Sequence, residues 1–154
     1  MDNSLYFEDL KTGEVFESTG RTVTETDMTM FSMLSGDWNP VHCDQEFASK
    51  TRYGERLVHG AYGIAIATGM MHTLGVFEKS AVAMMSISDW KFVKPITIGM
   101  TLRLKLSILD FEAGTSKRVG RVNRRLQLVN QHDEVVQDGV SDMLILKRSG
   151  IVES

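Results

Sequence analysis

The stretch "GAYGIAIATGMMHTLG", Gly60 to Gly75, carries no charged side chain apart from a titratable histidine and is apolar on every side when wound as a helix. A helix with no water-facing stripe has to be enclosed by other structure. It is too short to cross a bilayer. Its glycines and alanines let neighbouring backbone come close, at some cost in helix propensity. A buried strand is the alternative, but so long a run without a turn favours a helix. The rest of the chain must therefore supply a cover for this one segment.

That cover is legible downstream, where the period falls to two. "TLRLKLSIL" sets Leu102, Leu104, Leu106 and Ile108 against Arg103, Lys105 and Ser107. "RVNRRLQLV" sets Val122, Leu126 and Leu128 against Arg121, Asn123, Arg125 and Gln127. "SISDWKFV" and "GVSDMLIL" complete four strands, read as a meander with an N-terminal strand added. Strict alternation means an antiparallel sheet with one wet face. The expected fold is α+β, a curved antiparallel sheet wrapped around one long central helix, in a single domain over residues 1–154. Upstream, "RTVTETDMTMFSMLS" starts extended and turns helical. Thr24 or Thr26 is placed to cap that helix, and Met28, Phe31, Met33 and Leu34 to form its apolar side. A short polar helix follows near Gln45 to Ser49.

Composition narrows the function classes. A hydrophobic share of 42%, a charged share of 24% and a net charge of −3 are ordinary for a globular chain and give no argument for nucleic acid or an anionic membrane. The lone Cys43 rules out an intrachain disulfide and fits a reducing compartment. With an acidic N-terminus that lacks signal-peptide order, it makes a cytoplasmic location the expectation. The histidines and the cysteine form no cluster with metal spacing, so no metal is expected.

Between the first helix and the apolar one lies "SGDWNPVHCD", Ser35 to Asp44. Gly36 can end a helix with backbone angles closed to other residues. Pro40 holds Asn39 extended and stops a continuing helix, so Asp37 to His42 reads as a bent, non-helical link. Asp37 and His42 form a carboxylate and imidazole pair able to take a proton from water and return it, with Asn39 between them to orient the ring or the water. The bland reading of the same residues is an Asx-turn and helix cap. His59-Gly60 adds a glycine N–H at the start of the apolar helix, where an oxyanion can be held. His59 is read as fixing the approach to Gly60, His72 as a helix-end or surface residue, and Cys43 as a buried, inert thiol.

"FSMLSGDWNPVHCDQEFA" followed by "YGERLVHG" resembles the (R)-specific enoyl-CoA hydratases and MaoC-like dehydratases of the hot-dog superfamily, and the likeness extends through "DWKFVKPITIGMTLRL". The resemblance implies a hot-dog fold and interconversion of trans-2-enoyl-CoA with (R)-3-hydroxyacyl-CoA. Asp37 and His42 match the catalytic pair, Asn39 the adjacent asparagine, and Gly60 the glycine whose amide polarises the thioester carbonyl. Thr68 falls where relatives often place a small hydroxyl residue. The resemblance implies no cofactor beyond the acyl-CoA or acyl carrier protein thioester itself, and a homodimer or higher homo-oligomer. A hot-dog thioesterase and a non-catalytic acyl-thioester binding module are the alternatives.

Two further features stay open. "KRVGRVNRR" is either the wet face of a strand or a landing site for CoA phosphates, with Arg121, Arg124 and Arg125 as the candidates. Alternation puts Arg124 on the side of Val122 and Leu126, so it has to reach a cleft, an interface or an edge. Along the apolar helix, Gly63, Ile64, Ala67 and Met71 share a face with Gly60. That face is either core or an acyl channel, with Gly63 and Ala67 leaving space in it.

Overall fold

The computed structural model describes residues 4–151. In chain order these form β1 (Val15–Glu17), β2 (Arg21–Thr22), α1 (Glu25–Ser35), α2 (Pro40–Cys43), α3 (Gln45–Ser49), α4 (Gly60–Thr73), β3 (Ala81–Phe92), β4 (Thr101–Glu112), β5 (Val119–Val129) and β6 (Val135–Leu146). The strands pair antiparallel in the order β1-β4-β5-β6-β3, with β2 also on β4. Leu102, Leu104, Leu106 and Ile108 are all but fully buried, as their alternation requires. They share one core with Tyr62, Ile66, Ala67 and Met70 of α4, which packs on β4 and β5. This is the α+β hot-dog arrangement. Among the described residues no helix is long and apolar enough to cross a membrane.

The order corrects the expected meander. β4, β5 and β6 follow one another, but β3 lies beyond β6 at the far edge. Alternation encodes which face a residue occupies and carries no information on which strand lies alongside. Register shifts at three places along the β3–β6 pair bend the edge strand, and Asp89 takes a left-handed φ of 50° at one of them.

The helices bring two more corrections. Thr24 caps α1 in a reciprocal box with Asp27, and Met28 is buried, yet Met33 and Leu34 are 70% and 84% exposed. Ser32 is buried in their place, facing a histidine described below. Nor is α4 enclosed on all sides: Ala61, Ala65 and Gly69 face outward, because a single sheet covers a single helix face. The edge strand β3 is exposed as well, with Val82, Met84, Met85 and Ile87 all open.

Gly63 marks the tightest helix–sheet contact. A Cβ there would sit 2.3 Å from the Gln137 carboxamide. That amide donates to the Gly60 carbonyl (3.0 Å) and accepts from the Trp90 indole (3.0 Å). The face through Gly63 and fully buried Ala67 is therefore core, and the space expected there is filled. Gly63→Ala should displace the amide and break both bonds, costing about 1–3 kcal/mol as overpacking does. A thermal melt checks this; an unchanged melting temperature would mean that Gln137 moves aside freely.

Candidate active site

Local sequence builds the site around two turns. Gly36 ends α1 in the left-handed region at φ 75°. The Asp37 carboxylate then accepts the Asn39 N–H at 3.2 Å, an Asx-turn. The Asn39 side-chain oxygen accepts the Val41 N–H at 3.1 Å and caps α2, with Pro40 in its first turn. The expected non-helical link is thus wrong in its second half. Proline is excluded from helix interiors but suits the first turn, where its missing N–H has no intrahelical role. Asn39 accordingly acts on His42 by capping the turn that carries it. The same turn overturns the reading of Cys43, which is exposed and points its thiol at the Trp38 carbonyl, 3.1 Å away.

His42 is largely buried, and its Nδ1 lies 2.6 Å from the Leu57 carbonyl. A carbonyl only accepts, so Nδ1 bears the proton, and in the neutral ring Nε2 is left as the acceptor. That Nε2 faces Asp37 Oδ2 at 3.6 Å, too long for a direct hydrogen bond. The Asp37 side chain is 52% exposed, so the pair opens to solvent. Imidazole and carboxylate thus converge at the mouth of the fold, close enough for one small molecule beside them to touch both.

His59, 2% exposed, supports both members. Its Nε2 lies 2.9 Å from the Asp37 carbonyl and 3.2 Å from the Ser32 hydroxyl. Its ring stacks on His42 with centroids 3.8 Å apart. These contacts add Asp37 and His42 to the role expected from sequence, that of fixing the approach to Gly60. Asp37, His42 and His59 also present ligand-type atoms within 4.8 Å of one another. The two ring nitrogens that face carbonyls are hydrogen-bond donors, an arrangement suited to fixed imidazoles in proton transfer.

Gly60 opens α4, and its N–H belongs to the donors that a helix start leaves free. With His42, Leu57, Phe92 and Gln137 it lines a cleft of about 440 Å³. A Cβ at Gly60 would lie 2.9 Å from the Phe92 ring, so a larger residue here would have to displace that ring. Arg52 and Lys94 line the same cleft. Sequence reasoning missed Gln137, Phe92, Arg52 and Lys94. Only Gln137 left a signal, as a polar residue in an inward register on β6.

Thr68 stands two turns further along α4, with its hydroxyl turned to the Ala65 carbonyl (2.6 Å). It lines a second cavity, described below, and not the cleft at His42. The three β5 arginines do not converge. Arg121 pairs with Asp142 and Arg125 with Asp138 on the outer face. Hydrogen bonds from Ser86 first, then Arg121, hold the Asp142 carboxyl below its usual range. Arg124 points inward and is 2% exposed, and burial pushes its pKa down to about 10.

Comparison with known proteins follows the same lines. The sequence profile of the MaoC like domain matches residues 9–130. Protein MaoC of Klebsiella aerogenes is 33% identical over 102 residues, which cover 66% of this chain but only 30% of that longer protein. A 3-hydroxybutyryl-CoA dehydratase of Methylorubrum extorquens is 28% identical over 147 residues, 94% of this chain and 86% of its own length. The X-ray structure of a protein described as a monoamine oxidase regulatory protein, from Archaeoglobus, superposes with a TM-score of 0.85. It is 34% identical, over 94% of this chain and 96% of that one.

The Leu57 contact makes a spectroscopic prediction. At about pH 8, above the ordinary histidine range, nitrogen-15 spectra should find His42 as the Nδ1–H tautomer. An Nε2–H ring would contradict the geometry, because the nitrogen facing Asp37 would then be a donor.

Proposed function

Because this chain belongs to the MaoC-like domain family, whose profile takes in most of its length, we propose that it adds water reversibly to a trans-2-enoyl-CoA, giving an (R)-3-hydroxyacyl-CoA. The observation that carries this reading is the orientation of His42. The Leu57 carbonyl takes its Nδ1–H, and its Nε2 is turned on Asp37 across a 3.6 Å gap. A pair so arranged holds a water by two partners and removes its proton.

In the hydration direction the thioester carbonyl lies against the Gly60 N–H, with the enoyl chain in the cleft below Phe92. Water between Asp37 and His42 loses a proton to the pair as its oxygen bonds to C3. The C2–C3 π electrons move to the thioester oxygen, where the Gly60 amide and the start of α4 stabilise the enolate charge. The pair then returns its proton to C2 as the enolate collapses. One water is consumed, and the pair ends in its starting state. Dehydration is the same path reversed. His59 keeps the Asp37 backbone and the His42 ring in register through the cycle.

The anionic CoA end meets Arg52 and Lys94 on this reading, since they line the cleft and the β5 arginines do not. A second copy of the chain pairs with β3, whose outer edge carries no neighbouring strand.

The dyad residues act as one unit, so their losses should not add. Asp37→Asn and His42→Ala should each lower kcat on crotonyl-CoA by about a hundredfold or more, since general acid–base catalysis contributes about a hundredfold at its lower end. The double variant should be little worse than either single one. Loss of enoyl absorbance measures this, with free CoA assayed in parallel. Near-normal turnover by Asp37→Asn, or release of CoA in place of hydration, would refute the assignment.

A further inference from the structure

The proposed chemistry leaves Arg124 unused, although a buried guanidinium is costly to place. Arg124 is 2% exposed, on the inward face of β5. Its Nη2 donates to the Ser141 hydroxyl at 3.1 Å, its Nη1 points at the Met71 sulfur at 3.6 Å, and Phe77 lies under the guanidinium at 5.6 Å. Its Nε has no hydrogen-bond partner. No carboxylate among the described residues forms an ion pair with it, because Asp142 is turned to the outer face, where Ser86 and Arg121 hold it. Glu78 lines the same cavity but is solvent-exposed. A buried guanidinium without a counter-ion is strongly disfavoured unless something else supplies the charge.

The space in front of it is a cavity of about 320 Å³, lined by Thr68, Met71, Phe77, Met84, Arg124 and Met143 among others. Between this cavity and the cleft at Gly60 lies a run of apolar side chains on β3 and α4. On β3, Met84, Ile87 and Phe92 pair with the inward residues Met143, Ser141 and Gln137, so they face α4's side of the sheet. They are 44%, 38% and 60% exposed, because α4 packs on β4 and β5 and leaves the edge strand uncovered. On the helix, Ile64, Thr68 and Met71 are half-buried along the matching stripe. Phe92 touches the Gly60 end of this run, and Met84 reaches the Arg124 end.

We propose that Arg124 binds a carboxylate at the far end of the acyl chain, so that the protein takes acyl-CoAs whose tail ends in an acid in preference to those ending in methyl. This rests on the hydratase reading for the position of the thioester, and it sets the substrate class of that site. The lengths agree. Thr68 and Met71 lie about 12 and 16 Å along α4 from Gly60. An extended chain advances about 1.2 Å per bond, so the tail needs roughly ten to thirteen bonds. The apolar lining suits the methylenes, and the guanidinium, with Ser141 beside it, offers a carboxylate its donors.

The test is binding, which needs no turnover. Wild-type protein is titrated by calorimetry with dodecanoyl-CoA and with the mono-CoA thioester of the twelve-carbon dicarboxylic acid. The acid-ended ligand should bind about tenfold tighter or more, as a charge-assisted contact implies. Arg124→Met should erase or invert that preference, and Arg124→Lys should keep part of it. Equal affinities in the wild type, or tighter binding of dodecanoyl-CoA, would overturn the proposal even if neither variant folds. Crotonyl-CoA turnover is followed separately. Hydration of crotonyl-CoA with no acid preference sinks the Arg124 assignment alone, and acid preference without any hydration sinks the hydratase reading alone.

Discussion

Everything in the site depends on how closely α4 enters the sheet. The Gln137 carboxamide occupies the volume that a side chain at 63 would need, and from there it bonds the Gly60 carbonyl and the Trp90 indole. One amide thus ties together the first turn of the helix, an interior strand and the edge strand. The contact holds the Gly60 end of α4 at a fixed depth beneath the sheet, beside Phe92. A larger residue at 63 would push out that end of the helix, and with it the amide that faces the cleft. Helix burial here is as much a matter of positioning as of stability.

A second set of bonds sets the chemistry of the loop. His42 is held from behind by a backbone carbonyl and beneath by a stacked imidazole, and its free nitrogen is aimed at a half-exposed carboxylate. Asn39 and Asp37 each spend a side-chain oxygen on a backbone N–H of the turn that carries His42. The bland reading of this motif, an Asx-turn and a helix cap, is thus what the backbone shows, and the proposed chemistry is built on the same turn. The cap and the Asx-turn give the pair its geometry: one Asp37 oxygen accepts the Asn39 N–H, and the other faces His42.

Much of this was legible in the sequence where a residue's own pattern carries the information. The alternation Leu102-Leu104-Leu106-Ile108 gave the buried face, Gly36 gave the left-handed helix end, and Val122-Arg124-Leu126 gave the inward arginine. What failed depends on partners that no local pattern names. Alternation could not put β3 beside β6. The proline rule that stops a helix also starts one, so Pro40 was read in the wrong direction, and the burial of Cys43 was misjudged with it. The small residues of α4 served two ends: Gly63 and Ala67 admit the sheet, whereas Ala61, Ala65 and Gly69 lie outward. Composition does not separate these uses, and only the register of helix against sheet does.

The central claim is that the Asp37/His42 pair directs water to C3 of an enoyl thioester and leaves the thioester bond whole. Running the reaction on crotonyl-CoA in oxygen-18 water tests this most directly, with mass spectrometry of the products. The account predicts 3-hydroxybutyryl-CoA carrying the heavy oxygen in its C3 hydroxyl, with the CoA thioester intact. Heavy oxygen found in a free carboxylate, with CoA released, would contradict it, since the water would then have attacked the carbonyl.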